Sequence, residues 1–455
     1  MATVSYGMKI NSENRIVDRT IGIYRDAVKY LMEIVSMHYD ELAAISGTST
    51  ASVQQLKQQY IEKLVHSTKF NHAKYTEFDR RFYKFPSYLR RDAITTAIGK
   101  IMSYQSMVCN WESKGRTGKR PFLNKTQDVM PCFYRKNTFL QDQNKISLKL
   151  FNGKDWVWHR MTVRNSDFLY ALKNVYDWKA CAPVLQKCGH RYELRIAYEK
   201  PSSSFPRYKK DVDVEIAVSV DLGINTDAVC SVVHKDGTVT GQAFINSPVE
   251  KDRMYGLLNA IRKAQQHGNY RNHRLWRFVN NYNEAIAVKT SCRIIEFALK
   301  SNASVIVFEH LDMKRKKKVS RKQKVALWRK REIQRRVEAM GARCGIRVSY
   351  ICAVNTSRLA YDGSGKVVRG SDAGFKSNKL CRFQNGKVYN CDLSASKNIG
   401  ARYFTRVILK SLSESKRLSI LAKVPGLDRR TSCVLATLIN LYAELYPVKA
   451  ASVAV

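Results

Sequence analysis

The 455-residue sequence lacks the features of several common protein classes. It has no run of about 18 or more apolar residues, which excludes a transmembrane helix, and its first residues lack the apolar core of a secretion signal. Its 11 cysteines are scattered and form no tight C-x-x-C pair. We therefore expect reduced thiols in a cytoplasmic protein rather than a disulfide framework, and no membrane partner.

Acidic residues are also scarce. Lys and Arg total 79 against 38 for Asp and Glu, which gives a net charge of +41. Such an excess repels itself unless a polyanion neutralises it, and phosphate backbones are the usual polyanion. Charge therefore indicates nucleic-acid binding. It favours a membrane surface less, because no amphipathic segment stands out, and it does not separate an enzyme from a non-enzymatic binder.

The order of predicted elements indicates a multidomain α/β protein. Residues 2–10 have the pattern of a strand, residues 15–110 that of helices, and "KISLKLFNGKDWVWHRMTV" and "RYELRIAYEK" that of strands. Residues 200–215 have linker composition and predict the main boundary. Beyond it come three hairpin-linked strands, a helix, a strand, a helix, a strand and a helix. This is the order of an RNase H-like domain.

Three acids stand at special places in this layout. Asp221 ends the first strand after the linker, in "VSVDLGINTDAVCSVV"; Glu309 ends the strand "VIVFEH"; and Asp392 precedes the helical "LSASKNIGARYFTRVILKSL". Burying an isolated carboxylate is costly, so acids at such positions need cations or donors. Hard oxygen ligands hold Mg²⁺ ions, which activate water in phosphodiester hydrolysis.

Each acid also has a simpler interpretation when it is considered alone. Asp221 could cap its turn, Glu309 could meet solvent at a strand end, and Asp392 could be a helix N-cap. The combination favours a metal site, because this fold would bring all three together. A phosphate-binding loop is excluded, because "GINTD" after Asp221 offers no second glycine and no lysine.

Three segments carry a family resemblance. "VDLGINTDAV", "VIVFEHLD" and "NCDLSASKNIGARY", in this order, resemble the three split segments of the RuvC-like nuclease domain of TnpB proteins and the related compact type V CRISPR effectors. "REIQRRVEAMGARCGIRVSYICAVNTS" resembles the segment that leads into that family's zinc ribbon. The N-terminal half is similar to their wedge and recognition lobe only in the order and character of its elements.

The resemblance implies a domain plan. A β-barrel-like wedge domain would comprise residues 1–14 and 111–205, with a helical recognition lobe, 15–110, inserted into it. The RuvC-like, RNase H-like nuclease domain would comprise residues 206–352 and 391–455. A zinc-ribbon-like insert, 353–390, would interrupt the nuclease domain.

The resemblance also implies an activity. The chain would be an RNA-guided DNA endonuclease that cleaves beside a short adjacent motif, with Asp221, Glu309 and Asp392 as catalytic residues holding two Mg²⁺ ions in one site. Its partners would be a structured guide RNA and double-stranded target DNA, in the prokaryotic cytoplasm. Asn225, Ser394 and Asn398 fall within the matching motifs and would support the acids or contact the substrate.

The sequence departs from the family pattern at the zinc ribbon. Ala360 and Gly363 stand where the first C-x-x-C is expected, and of the second pair only Cys381 remains. Cys391, next to Asp392, is out of register for that site. Because a thiolate zinc site needs four ligands, we expect no structural zinc.

A basic segment follows Glu309. Residues 313–336 contain thirteen Lys or Arg and one acid, and they indicate either a solvated helical face or a loop over the cleft that contacts nucleic acid. Proximity to Glu309 favours the loop, and the candidate contacts are Lys314, Arg315, Lys316, Lys317, Lys318, Arg321 and Lys322.

Two other functions stay open. The chain could be an RNA-guided binder that acts by occupying DNA without cleavage, although the presence of all three acids argues against it. It could also be an unguided RNase H-like resolvase or transposase, although such enzymes lack a basic lobe of about 200 residues before the catalytic domain.

Overall fold

A computed structural model of the chain describes residues 1–10, 14–47, 52–123, 128–134, 136–142, 145–162, 176–189, 191–310, 329–427, 429 and 431–447. They divide into two compact units, Thr3–Lys200, and Met1–Ala2 with Pro201–Val455. Both units contain helices and sheets, so the chain is a mixed α/β protein, as the element order predicts. None of the helices among these residues is long and apolar enough to span a bilayer.

The unit Thr3–Lys200 combines helices with two small sheets. Its helices are α1 (Asn14–Met37), α2 (Tyr39–Ala44), α3 (Val53–Val65), α4 (Glu77–Arg81) and α5 (Ser87–Ser113). Its strands are β1 (Ala2–Lys9), β2 (Phe139–Asp142), β3 (Lys145–Phe151), β4 (Trp156–Thr162), β5 (Lys179–Ala180), β6 (Val184–Cys188) and β7 (Arg191–Lys200). The sheet orders are β1-β7-β5, with β6 also on β7, and β2-β3-β4.

A five-stranded sheet forms the centre of the second unit. Its strands are β8 (Ile216–Asp221), β9 (Ala228–His234), β10 (Val239–Ile245), β11 (Val305–His310) and β12 (Arg347–Cys352), in the order β10-β9-β8-β11-β12. Strands β8, β9 and β10 pair antiparallel, whereas β11 is parallel to both β8 and β12. The five strands and the hairpin between β9 and β10 that the sequence predicts are confirmed.

Helices cover both faces of this sheet. They are α7 (His273–Lys300), α8 (Lys330–Arg343), α9 (Cys391–Ser411), α10 (Glu414–Lys423) and α11 (Leu435–Leu445), whereas α6 (Pro248–Gln266) packs against α7. Within β11, Val305 and Val307 pack in the core that holds α9, whereas Ile306 and Phe308 pack in the core that holds α7 and α8. Burial on both faces explains why β11 is continuously apolar until Glu309.

A small three-stranded sheet lies between β12 and α9. It consists of β13 (Val368–Arg369), β14 (Leu380–Arg382) and β15 (Val388–Asn390), all antiparallel. We call residues 353–390 the ribbon insert. Its last strand leads directly into α9, so the insert adjoins the helix that carries Asp392.

Helix α9 packs so closely on the sheet that Gly400 leaves no room for a side chain. A Cβ atom there would lie 2.6 Å from Cγ2 of Val233 and 3.0 Å from Oγ of Ser219. We expect Gly400→Ala to lower the free energy of unfolding by about 1–3 kcal/mol, because helix and sheet must separate. Thermal unfolding measures the change.

The matched control is Gly256→Ala in α6. No described atom lies within 4 Å of a Cβ at that position, so alanine should stabilise the helix by about 0.5–1 kcal/mol. Equal shifts in unfolding temperature for the two variants would contradict the tight packing of α9.

Candidate active site

Asp221 and Glu309 lie at the same edge of the central sheet. Strands β8 and β11 are parallel neighbours, and Val220 pairs with Phe308, so the next residue of each strand is one of the two acids. Asp221 also pairs with Val229 of β9, at the end of the antiparallel hairpin. The structure therefore brings together the first two acids that the sequence singles out.

Asp392 joins them from the first turn of α9. The N-cap of this helix is Asn390, whose Oδ1 accepts a hydrogen bond from the backbone N–H of Leu393 at 2.9 Å. The interpretation of Asp392 as the N-cap is therefore wrong, because the helix begins two residues earlier than that interpretation requires. A carboxylate in the first turn is stabilised by the helix dipole.

The three carboxylates act on one another electrostatically. Burial raises the pKa of Asp221 well above its usual range, and the negative charges of Glu309 and Asp392 raise it further. Burial also raises the pKa of Glu309 and that of Asp392. All three side chains remain partly exposed. Like charges held together at an accessible edge are unfavourable without a cation.

This donor set suits a hard divalent cation. Carboxylate oxygens are the ligands that Mg²⁺ prefers, and a bound cation would remove the repulsion that raises the pKa of Asp221. Among the described residues, no group of three or more His, Cys, Asp and Glu side chains is arranged to hold a metal ion. The acids thus share an edge but do not form a closed coordination site.

Two side chains that the sequence did not assign to the acids hold Glu309. The hydroxyl of Thr356 donates to its carboxylate, and Gln334 Nε2 donates to its backbone oxygen at 3.1 Å. The hydrogen bond from Thr356 lowers the pKa of Glu309 and so opposes the effect of burial. In the sequence, Thr356 is part of the segment that resembles the entry to the family's zinc ribbon, and no local pattern connects it with Glu309.

Thr356→Val should weaken the candidate site without removing an acid. Loss of the hydroxyl raises the pKa of Glu309. The acid limb of the pH–rate profile for the DNA cleavage that the motif resemblance implies should therefore move to higher pH. We expect the rate at neutral pH to fall about tenfold. Thr356→Ser keeps the hydroxyl and should restore both rate and profile. A profile that does not move in the valine variant would contradict this role.

The other three motif residues differ in their surroundings. Asn225 lies exposed in the loop after β8, and its backbone oxygen accepts from Lys251 Nζ at 2.7 Å. Ser394 is buried, and its hydroxyl has no hydrogen-bond partner within the described ranges. Asn398 is fully buried, and its Nδ2 donates to the backbone oxygen of Thr356 at 3.0 Å. Asn398 is thereby linked to Glu309 through Thr356.

Most of the basic segment, residues 313–328, lies outside the described residues. Lys314, Arg315, Lys316, Lys317, Lys318, Arg321 and Lys322 all lie outside the described residues. The end of the segment forms helix α8, where Arg335 pairs with Glu332, and Arg336 pairs with both Glu332 and Glu284. These ion pairs in α8 partly neutralise Arg335 and Arg336, so the two side chains offer less positive charge to a nucleic acid.

The ribbon insert is held by a small apolar core. Ala360, Cys381, Phe383 and Cys391 are buried against one another, with Tyr361 and Tyr389 packed around them.

Cys391, which the sequence places out of register for the zinc-ribbon site, lies in the same buried cluster as Cys381. Leu380 pairs with Asn390 across β14 and β15, and this register brings the two thiols into hydrogen-bonding contact, which lowers the pKa of Cys391. Two thiols among apolar side chains do not supply the four ligands of a thiolate zinc site.

We expect purified protein to contain zinc only in substoichiometric amounts. A zinc chelator should leave its unfolding temperature unchanged, because structural zinc contributes directly to folding free energy where it is present. Elemental analysis and thermal unfolding with and without chelator test this. One zinc per chain, lost together with stability on chelation, would overturn the prediction.

Comparisons with known proteins agree with the resemblance of the motifs. Residues 3–152 match the model of the Aq_aa04 family. A curated protein of Aquifex aeolicus (strain VF5), TnpB-like protein aq_aa05, is 27% identical over 246 residues, which cover 49% of this chain and 78% of that protein. The resemblance to TnpB proteins is thereby confirmed.

Solved structures of type V effectors are also similar to this chain, with lower sequence identity. The Cas12f1 chain of a complex with guide RNA and target DNA is 14% identical, over 88% of this chain and 99% of that chain, with a TM-score of 0.33. C2c1 of Alicyclobacillus acidoterrestris, in a complex with single-guide RNA, is 10% identical. The match covers 86% of this chain and 70% of the C2c1 chain, with a TM-score of 0.38. TM-scores below 0.5 do not establish a shared overall fold.

Proposed function

We propose that this chain is an RNA-guided DNA endonuclease with a single RuvC-like site. The observation that carries the proposal is the placement of Asp221, Glu309 and Asp392 at one edge of the sheet, where burial, and then the charges of Glu309 and Asp392, raise the pKa of Asp221. A structural role does not account for three acids that destabilise one another. Metal-dependent cleavage of a phosphodiester does.

The three acids would hold two Mg²⁺ ions. Bound there, the ions would activate water and stabilise the charge that develops on the leaving oxygen. Thr356 fixes the carboxylate of Glu309 through its hydroxyl, and Asn398 fixes the backbone of Thr356. The protein thus presets the orientation of one acid, and this limits the reorganisation needed when substrate arrives.

The net charge of +41 supports polyanionic partners. We propose a structured guide RNA, whose pairing with one DNA strand selects the target, and a short motif in the adjacent duplex that the protein reads. The protein would act in the prokaryotic cytoplasm, on the nucleoid when it is bound to DNA.

The proposed domain plan follows the TnpB resemblance. Residues 206–352 and 391–455 would form the RNase H-like nuclease domain, in which the sheet order β10-β9-β8-β11-β12 supports the assignment. Residues 353–390 would form the metal-free ribbon insert. The wedge domain would comprise 1–14 and 111–205, and the recognition lobe 15–110.

Sequencing the RNA that co-purifies with the protein tests the guide. The protein with that RNA is then incubated with DNA that matches the RNA, with and without Mg²⁺. We expect a discrete RNA species and cleavage of matched DNA only when Mg²⁺ is present. Absence of any bound RNA, together with cleavage of unmatched DNA, would favour an unguided resolvase or transposase. Tight binding of matched DNA without cleavage would favour a protein that acts by occupancy.

A further inference from the structure

A cavity of about 410 Å³ opens beside the loop that follows Asp221. Residues 223–227 of that loop form one wall, and helices α6, α7 and α8 form the others. Most of the surface is apolar, with side chains that include Met254, Leu258, Ile286 and Ile333. Its volume is within the range of about 300–1,000 Å³ that is usual for small-ligand sites.

One polar atom in this cavity lacks a partner. The side chain of Asp227 is 6% exposed, and its Oδ1 lies 2.7 Å from Lys251 Nζ. The same ammonium donates to the backbone oxygen of Asn225 and to Oδ1 of Asn246, each at 2.7 Å. Its three donors are thereby used. Oδ2 of Asp227 is buried, and no atom of the described part of the chain hydrogen-bonds to it.

These contacts define the chemistry of a ligand. A buried carboxylate oxygen without a donor costs about 1–3 kcal/mol or more, so the ligand must present an N–H or O–H group to Asp227. The apolar walls require a largely apolar body. Asp252, Arg329 and Lys379 also line the cavity, and Arg329 lies 4.0 Å from Glu284. The exposed Lys379 is therefore the cation that would meet a negatively charged group outside the apolar part.

A nucleobase within a nucleic-acid strand meets all three requirements. We propose that this cavity binds one unstacked base that carries an exocyclic amino group, in the strand that the neighbouring carboxylates cut. The inference rests on the proposed nuclease function. A carboxylate accepts the amino group of cytosine, adenine or guanine. Thymine offers only an N–H between two carbonyl oxygens, which the carboxylate repels, so thymine binds less well.

Two short single-stranded DNA oligonucleotides test this, one of 5-methylcytosine and one of thymine. The two bases have the same ring and methyl group and differ in whether they carry an amino group or a carbonyl oxygen. Binding to the full chain is measured by competition in EDTA at neutral pH, at several salt concentrations. We expect about tenfold tighter binding of the 5-methylcytosine strand. The ratio should not vary with salt, because the phosphate contacts are common to both.

Asp227→Asn should reduce this preference to within about twofold, because an amide both accepts and donates. The matched control is Asp213→Asn, which removes the same charge from an exposed position and should keep the preference. Met254→Trp fills the cavity without changing Asp227 and should also abolish the preference. If Asp227→Asn unfolds at a lower temperature than the parent, the tryptophan variant decides the result.

Equal binding of the two strands by the parent protein would overturn the proposal. So would a preference that survives both Asp227→Asn and Met254→Trp. The monophosphates of the two nucleosides serve as further competitors, and a monophosphate as strong as the oligonucleotide would overturn the assignment to a strand.

Cleavage in Mg²⁺ is measured separately, so the two proposals can fail independently. A protein that cuts but shows no base preference lacks the base site. If the protein prefers the 5-methylcytosine strand but never cleaves DNA, the base-binding cavity is supported and the nuclease proposal fails.

Discussion

Asp221→Asn should reduce the rate of DNA cleavage by more than about 10³-fold, which corresponds to about 4 kcal/mol in activation free energy. The same substitution should raise the unfolding temperature. The loss of activity follows because Asp221 is one of the three ligands in the proposed metal site. The gain in stability follows from the raised pKa of Asp221, which shows that ionising this carboxyl opposes folding. A residue that mainly served the fold would show the opposite change in stability.

The gain in stability should depend on pH. The pKa of Asp221 is higher in the folded protein than in the unfolded chain, so the cost of its charge begins above the unfolded value of about 3.9. The cost grows until the pH exceeds the raised folded pKa. The difference in unfolding temperature between Asp221→Asn and the parent should therefore be absent below the unfolded pKa and largest at neutral or alkaline pH.

Guided cleavage and calorimetry are measured on the same preparations. Asp213→Asn changes the same charge at an exposed position and should leave both rate and unfolding temperature unchanged. The asparagine variant at 221 should still bind matched DNA. If Asp221→Asn cleaved DNA at the parental rate, the nuclease proposal would be wrong. If Asp221→Asn unfolded at a lower temperature than the parent, the electrostatic explanation of the raised pKa would be wrong.

Arg402→Met should lower the free energy of unfolding by about 4 kcal/mol. Arg402 is 5% exposed, and its guanidinium donates to four backbone oxygens, those of Cys352, Val354, Thr431 and Cys433, at 2.7–3.0 Å. Methionine fills a similar volume but leaves these oxygens without a donor. Two of them lie at the end of β12, in the chain that leads to Thr356.

The same change should reduce cleavage, because the positive charge of Arg402 lowers the pKa of Glu309. Denaturant unfolding and guided cleavage measure the two effects. Arg417→Met is the control, since Arg417 is half-exposed and its ion pair with Glu414 is long, at 4.0 Å. A change of less than about 1 kcal/mol in Arg402→Met would show that the four contacts contribute little.

The sequence predicts the central sheet well because its signals are local. Apolar runs, the Asp236–Gly237 turn and the amphipathic helices each depend on neighbouring residues, and the structure has β9 and β10 on either side of that turn. The positions of Asp221 and Glu309 follow once two parallel strands are neighbours. Asp392 was found by its motif, although the residue that caps its helix was not.

The remaining features depend on contacts between residues far apart in the chain, which no local pattern encodes. Thr356 meets Glu309 across 47 positions, and Arg402 joins oxygens that are 29 to 50 positions away. The contact between Cys381 and Cys391 depends on the strand register. Asp227 looks like an ordinary polar loop residue, and only the cavity distinguishes it.

The order in which the acids leave the ribosome has a consequence for the cell. Asp221, Glu309 and Asp392 lie on β8, β11 and α9, so no N-terminal fragment that ends before α9 carries all three. At about 5–20 residues per second, the last acid follows the first by roughly 10–30 s. Under the proposed function, a nascent or prematurely terminated chain would therefore be inert as a nuclease, and the host genome would be protected while this cationic protein is being made.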